Sequence, residues 1–273
     1  MSVNEKMTAI ADAIRAKAKS ITGKLTLDDM ATNGIDEVYN SGIERGKKAE
    51  HNAFWNGYLD TNIVSTSVAH MHKFSGASWN DNTFYPTKDI VVGYGEKWFY
   101  YCRITNLRQR LIDCGAKFDF SNATNLGAFF EQSTITEVPV IDLKALSINK
   151  KPTTGQRLFY GCKQLVTIEK IKTAEDVTYG NSFTNCVALE NVYFEGFIGK
   201  SIDFQYSENL SAYSIVNIIE HLSPNVTGQT ATFSIQAFTK AESKFPIYYN
   251  LIDRYENLDE VIATKPNWNI SVI

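Results

Sequence analysis

One phrase occurs twice between residues 158 and 194, and it limits what this chain can fold into more than any other feature. Phe159, Cys162, Leu165 and Ile168 make the first copy; Phe183, Cys186, Leu189 and Val192 make the second, 24 residues on. The shared pattern is F-x-x-C-x-x-L-x-x-(I/V). Self-similarity at about 20–29 residues is the mark of leucine-rich repeats. A unit that short cannot bury its own apolar face. Copies laid on one another, Phe over Phe and Leu over Leu, cover it with a continuous core. The slot held by cysteine must be small and apolar where the chain turns inward, and a reduced cysteine serves there as a compact hydrophobe.

Two looser copies come before this pair. Phe130, Ser133, Ile135 and Val138 repeat the phrase with one residue fewer between the small residue and the aliphatic, and so do Phe99, Cys102, Ile104 and Leu107. The steps from Phe99 to Phe130 and from Phe130 to Phe159 are 31 and 29 residues, so the spacing is irregular. A second phrase recurs as well: Asp119-Phe120 with Asn125-Leu126 matches Asp203-Phe204 with Asn209-Leu210, and Ile141-Asp142-Leu143 is a further fragment of it. Asp-Phe reads as the end of a short strand and Asn-Leu as the turn into the next element.

The first phrase resembles the BspA-type leucine-rich repeat of bacterial surface proteins and of phage and prophage tail proteins. The opening narrows the context. Asn4-Glu5-Lys6-Met7-Thr8-Ala9-Ile10-Ala11-Asp12-Ala13-Ile14-Arg15, with Lys24-Leu25-Thr26-Leu27-Asp28-Asp29-Met30 after it, resembles the start of many tail, baseplate or fibre-like proteins of phages of Gram-positive gut bacteria. Together the two resemblances cover residues 1 to about 55 and about 98 to 222. They imply an α+β fold: an irregular BspA-like leucine-rich-repeat solenoid with N-terminal helices and an α/β C-terminal cap. The division expected is 1–59 for helical attachment and oligomerisation, 60–97 for a β-rich connector and N-cap, 98–222 for the solenoid and 223–273 for the C-terminal cap. The resemblance carries no catalytic residues. It implies a structural or binding protein of the tail that recognises a host-surface glycan or protein. A cell-surface leucine-rich-repeat adhesin and a tail-associated glycosidase are the alternatives.

Composition fits that reading. The net charge is −3 with no clustered basic face, so no nucleic acid is expected as a partner. No run of about 18 apolar residues exists, so no membrane insertion is expected. The first 20 residues carry charges throughout and lack an apolar h-region, so the chain is expected to be made in the host cytoplasm without a signal peptide and to reside in the virion tail. The four cysteines form no C-x-x-C pair, and three of them (Cys102, Cys162 and Cys186) fill the small slot of the repeat, so free buried thiols are expected.

In chain order, residues 4–19 carry one apolar stripe of Met7, Ile10, Ala11, Ile14 and Ala18 and predict a helix. A second helix is predicted from Thr26 towards Tyr58, weakened by Gly34, Gly42 and Gly46. A helix so thin in apolar residues needs a neighbour. Residues 1–58 are therefore expected to dock on other tail proteins or on further copies of the chain, with a trimer favoured; the plainer alternative is a helical hairpin folded back on the end of the solenoid. Short strands are expected over 62–68 and 89–92. Trp79, Phe84, Tyr85, Tyr94, Trp98 and Tyr100 either cap the core or line a groove, and Trp79, Tyr85 and Tyr94 are the candidates for a binding surface. His70 and His72 share one face of a strand; in a trimer they would offer six imidazoles to an axial metal, as in some phage fibres, while the plainer reading is two surface histidines.

Leu210–Leu222 predicts an amphipathic helix capped by Ser211 and stopped by Pro224. A strand over 231–236, a helix over 241–263 with Pro246 near its first turn, and a last strand over 269–273 follow. No phosphate loop, H-E-x-x-H or G-x-S-x-G occurs, and the carboxylate pairs Asp28-Asp29 and Asp259-Glu260 adjoin and so point apart on a helix. No cofactor and no catalytic residue is expected. A glycosidase would need two facing carboxylates.

Overall fold

The computed structural model describes residues 74–82, 84–252 and 255–273, and the side chains of all of these but 244–252. The chain divides into two compact units, Met1–Thr61 with Tyr85–Thr87 and Asn62–Phe84 with Lys88–Ile273. Of the first, only Tyr85–Thr87 fall among the described residues. The helices expected over 4–19 and 26–58, the strand over 62–68, and His70 and His72 lie outside them.

The second unit is α+β. Its elements are β1 (Ile90–Val91), α1 (Leu107–Cys114), β2 (Phe118–Asp119), β3 (Glu137–Val138), β4 (Ile141–Asp142), α2 (Lys144–Ile148), a 3-10 turn (Pro152–Thr154), β5 (Thr167–Lys172), β6 (Asn191–Glu195), β7 (Ile202–Phe204), α3 (Ala212–His221), β8 (Gln229–Phe233), α4 (Ile235–Ile252), α5 (Leu258–Ala263) and β9 (Trp268–Val272). Among the described residues every strand pair is parallel, in three separate sheets: β1 with β2, β5 with β3, β4 and β6, and β7-β8-β9. In the middle sheet β6 runs beside both halves of β5, and β3 and β4 share the other edge. Pro139 sits between β3 and β4. It has no N–H to give to the ladder, so the strand breaks there.

The core is a column of phenylalanine rings. Phe74 lies 4.8 Å from Phe99, Phe99 5.3 Å from Phe130, Phe130 5.6 Å from Phe159 and Phe159 5.8 Å from Phe183. It continues through Phe204 at 4.3 Å and Phe233 at 6.1 Å. All are essentially excluded from water. Around the ring the backbone repeats too. Each phenylalanine of the phrase is flanked, two residues before and two after, by residues with positive φ: Lys97 and Tyr101, Ala128 and Gln132, Arg157 and Gly161, Asn181 and Asn185. Only one of these eight is glycine, so most carry a side chain in a region L-residues avoid. Bonds between layers offset that strain. The amides of Ala128, Phe130 and Gln132 donate to the carbonyls of Gln156, Leu158 and Tyr160, and those of Arg157, Phe159 and Gly161 to Gly180, Ser182 and Thr184. Each of these backbone groups, left unpaired in the interior, would cost about as much as a lost hydrogen bond, so the pairing helps hold the turns.

The leucine-rich-repeat solenoid expected from the phrase is not the architecture. The parallel strands fall into three separate sheets; the middle one joins the last positions of three copies, Val138, Ile168 and Val192, but does not extend to the first copy or to the strands that follow. The reasons are local. Pro139 interrupts one strand, and α1 and α2 occupy the segments after the two looser copies. The phrase encodes a side-chain column and a pair of turns. Phe204 of β7 and Phe233 of β8 extend the same column towards the end of the chain.

Towards the end of the chain, α3 forms where the stripe of Ile215, Val216, Ile218 and Ile219 is buried, with Ser211 accepting the amide of Ser214. The helix expected over 241–263 is two: α4 starts already at Ile235, after Ser234 accepts the amide of Gln236, and α5 is started afresh by Asn257, which accepts the amide of Glu260. Pro246 therefore lies well inside α4. The last strand, β9, adds to β8 in parallel register.

Candidate functional site

An open cleft of about 710 Å³ lies beside α1, β2 and the Pro139–Val140 break. Pockets of roughly 300–1,000 Å³ are the usual size for small-molecule sites. Part of its lining is apolar: Phe118, Pro139, Val140 and Ile112, the last 55% exposed on α1. Phe118 is rigid because the inner part of its ring stands edge-on to Phe99 and Phe129 of the core, each 5.8 Å away. The helix α1 is placed by Leu107 and Leu111, one turn apart and both buried, and ends at Gly115, whose positive φ closes the last turn.

The charged lining is largely tied to the fold. Asp89 accepts the Lys117 amide at 3.1 Å and faces its ammonium at 3.8 Å. Asp119 accepts the Ser121 amide at 2.9 Å, and Asp142 the Lys144 amide at 3.0 Å, each closing a turn onto the residue two ahead. Glu169 accepts from Arg108 Nε at 2.7 Å, with Glu137 3.8 Å from the same guanidinium. The ammonium of Lys172 has no hydrogen bond or ion pair among the described residues. The Ser121 amide, more than any other group, holds the Asp119 carboxyl below the usual carboxylate range. A general acid needs the opposite shift. The arrangement offers fixed acceptors, a cation and an apolar floor.

The repeat residues sit where the phrase places them, in the core: Phe99, Cys102, Phe130, Phe159, Cys162, Leu165, Ile168, Phe183, Cys186, Leu189 and Val192 are all buried. The cysteines do more than fill space. The thiol of Cys102 donates to the Trp79 carbonyl at 3.4 Å, that of Cys162 to Phe130 at 2.9 Å and that of Cys186 to Phe159 at 3.2 Å. Burial pushes the Cys102 and Cys162 thiols up to about 12 and that of Cys186 well above its ordinary value, so they are poor nucleophiles.

Of the candidate binding residues, Trp79 packs edge-on to Phe74 at 5.7 Å, and the Tyr94 hydroxyl donates to Glu96 at 2.7 Å, an oxygen shared with the Asn125 amide nitrogen. Tyr85 belongs to the first unit. None of the three lines the cleft. The residues that do were missed, although the signal was present: Asp119 and Asp142 are the aspartates of the second recurring phrase, and Asp203 makes the same turn onto Gln205. A second feature gave no sequence signal. Glu131 is buried and paired with Arg157 at 2.6 Å, and that guanidinium lies 4.6 Å over the Tyr160 ring.

Among the described residues no cluster of three or more His, Cys, Asp or Glu could hold a metal ion, and no helix is long and apolar enough to cross a membrane. Set against protein-family models, curated proteins and solved structures, nothing matches this chain.

Proposed function

We propose that this chain is a non-enzymatic structural and binding protein of a phage or prophage tail, attached through residues 1–58 and presenting the second unit to a receptor on the host surface. The likeness of residues 4–15 and 24–30 to tail-protein openings supports the context. The observation that carries the binding role is the cleft beside Phe118, whose carboxylates at positions 89, 119, 142 and 169 are each committed to backbone amides or ion pairs. Groups so fixed present a constant surface to a ligand, and preorganisation of that kind favours binding.

Two measurements test this. The mass in solution of the full chain and of a form lacking residues 1–58 is expected to give a trimer and a monomer; two monomers would count against attachment by assembly. The fluorescently labelled full chain is expected to decorate intact cells of some members of a panel of Gram-positive gut bacteria. If it decorates none, the receptor-binding role is lost. Breakdown of cell-wall polysaccharide by the purified chain would favour the glycosidase instead.

A further inference from the structure

We infer that the cleft beside Phe118 is a saccharide site, selective for neutral sugars over polyanions. The inference rests on the receptor-binding role and names its ligand class. Three observations converge on one concave surface. First, Asp119 and Asp142 each close a turn, Asp119 on the amide and side chain of Ser121 and Asp142 on the Lys144 amide, so both carboxylates are fixed in direction at the cleft lining. A carboxylate accepts only, and two such acceptors pinned at a surface suit a ligand rich in hydroxyl donors. The same Ser121 bonds hold the Asp119 carboxyl below its ordinary value and so favour its ionised, acceptor-only form. Second, the Lys172 ammonium on the same cleft offers donors to ring or hydroxyl oxygens. Third, the exposed part of Phe118, with Pro139 and Val140, gives a flat apolar patch of the kind that takes the C–H face of a pyranose, and the core rings behind Phe118 hold it still.

Charge decides between sugar classes. Four carboxylates and three cations line the cleft, and Lys117 and Arg108 are already paired with Asp89 and Glu169. Four carboxylates against three cations leave the lining with one net negative charge, a field that repels a phosphate- or uronate-rich polymer and tolerates a neutral one.

The test uses the full chain and its Asp119→Asn/Asp142→Asn variant. The asparagine oxygen still accepts the amide two residues on, so both turns survive, and the thermal midpoint should fall only modestly as the charge-assisted part of the Asp119 bonds is lost. Calorimetric titration is run with tetrasaccharides of glucose, galactose, rhamnose and N-acetylglucosamine, and with a poly(glycerol phosphate) of similar length. At least one neutral tetrasaccharide is expected to bind, and the variant to bind it at least tenfold more weakly. Stronger binding of the poly(glycerol phosphate), equal binding by the variant, or no binding of any neutral tetrasaccharide overturns the saccharide site. If the labelled wild-type chain still decorates cells in that case, the receptor-binding role stands and only the site is wrong. Loss of decoration after protease treatment of the cells would point to a protein receptor and would also overturn it.

Discussion

The thiol of Cys162 donates to the main-chain carbonyl of Phe130, 2.9 Å away in the neighbouring layer of the core. Cys186 does the same to Phe159, at 3.2 Å, so the thiol ties one turn to the next. Removing the donor leaves the Phe130 carbonyl with the Ser133 amide, 3.0 Å away, but without its second bond, and opens a small void. Cys162→Ala is expected to cost about 1–3 kcal/mol. Cys162→Ser keeps a donor of nearly the same size and should cost less, as Ser133 already occupies the equivalent slot. Urea denaturation of the two variants decides it; equal losses would reduce the slot to one of size alone.

The same burial sets an alkaline limit. The Cys102 and Cys162 thiols are pushed up from about 9 to about 12, chiefly by desolvation, and burial raises the Tyr179 hydroxyl in the same direction. Folded, these groups keep their protons where the unfolded chain releases them. The stability they contribute is complete below about pH 9 and is lost as pH climbs towards 12, at about 1.4 kcal/mol per pH unit for each thiol. The urea midpoint should therefore fall steeply between pH 9 and 10.5, and less steeply in a Cys102→Ser/Cys162→Ser variant. At pH 8 iodoacetamide should label the half-buried Cys114 well before the other three. Even labelling of all four in the folded chain would contradict the burial.

What the sequence made legible was the spacing of large side chains. Phe130, Phe159 and Phe183 announce a column because a ring in a fixed phrase has few places to go. The sheets were not legible, because they depend on where strands break, and the break at Pro139 matters only once β5 lies alongside. The helix α1 was hidden in plain residues: Leu107 and Leu111 have helical spacing and Gly115 is a stop, but Leu107 also fits the last position of the repeat phrase. At α4, Pro246 suggested a helix start, while the serine that begins it, Ser234, lies 12 residues earlier. The cleft was beyond reach for a different reason. Asp119 and Asp142 were each visible in a recurring phrase, but only the tertiary fold brings residues 23 apart to the lining of one cleft.

The column makes a quantitative claim. Phe159 lies between Phe130, whose ring plane is nearly parallel to it at 4°, and Phe183, tilted by 31°. Phe159→Ala should cost about 3–5 kcal/mol, because close neighbours on both sides resist collapse into the void. Phe159→Leu refills most of the volume and should cost markedly less. A double-mutant cycle of Phe130→Leu with Phe159→Leu is expected to show coupling of about 0.5–1.5 kcal/mol beyond the sum of the single changes. Strict additivity would mean that the rings fill space independently and that their stacking contributes nothing.

A last prediction concerns a close approach of two backbones. A β-carbon at Gly199 would collide with the main chain of Glu175, at its carbonyl and its α-carbon. Neither side can give way. The Glu175 carboxylate accepts from the Ser223 hydroxyl at 2.6 Å and from the Asn225 amide nitrogen at 2.9 Å, while Ile198 exchanges main-chain bonds with His221 and Ser223, each 2.8 Å. Gly199→Ala is thus expected to cost more than about 2 kcal/mol, a loss of the size that backbone displacement produces. Gly180→Ala is the control: its nearest atoms belong to the flexible Gln156 side chain at 3.4 Å, and it should stay within about 0.5 kcal/mol of the parent. Urea midpoints for the pair separate the two cases. A Gly199→Ala chain as stable as the parent would show that the Glu175 loop is not held as its hydrogen bonds imply.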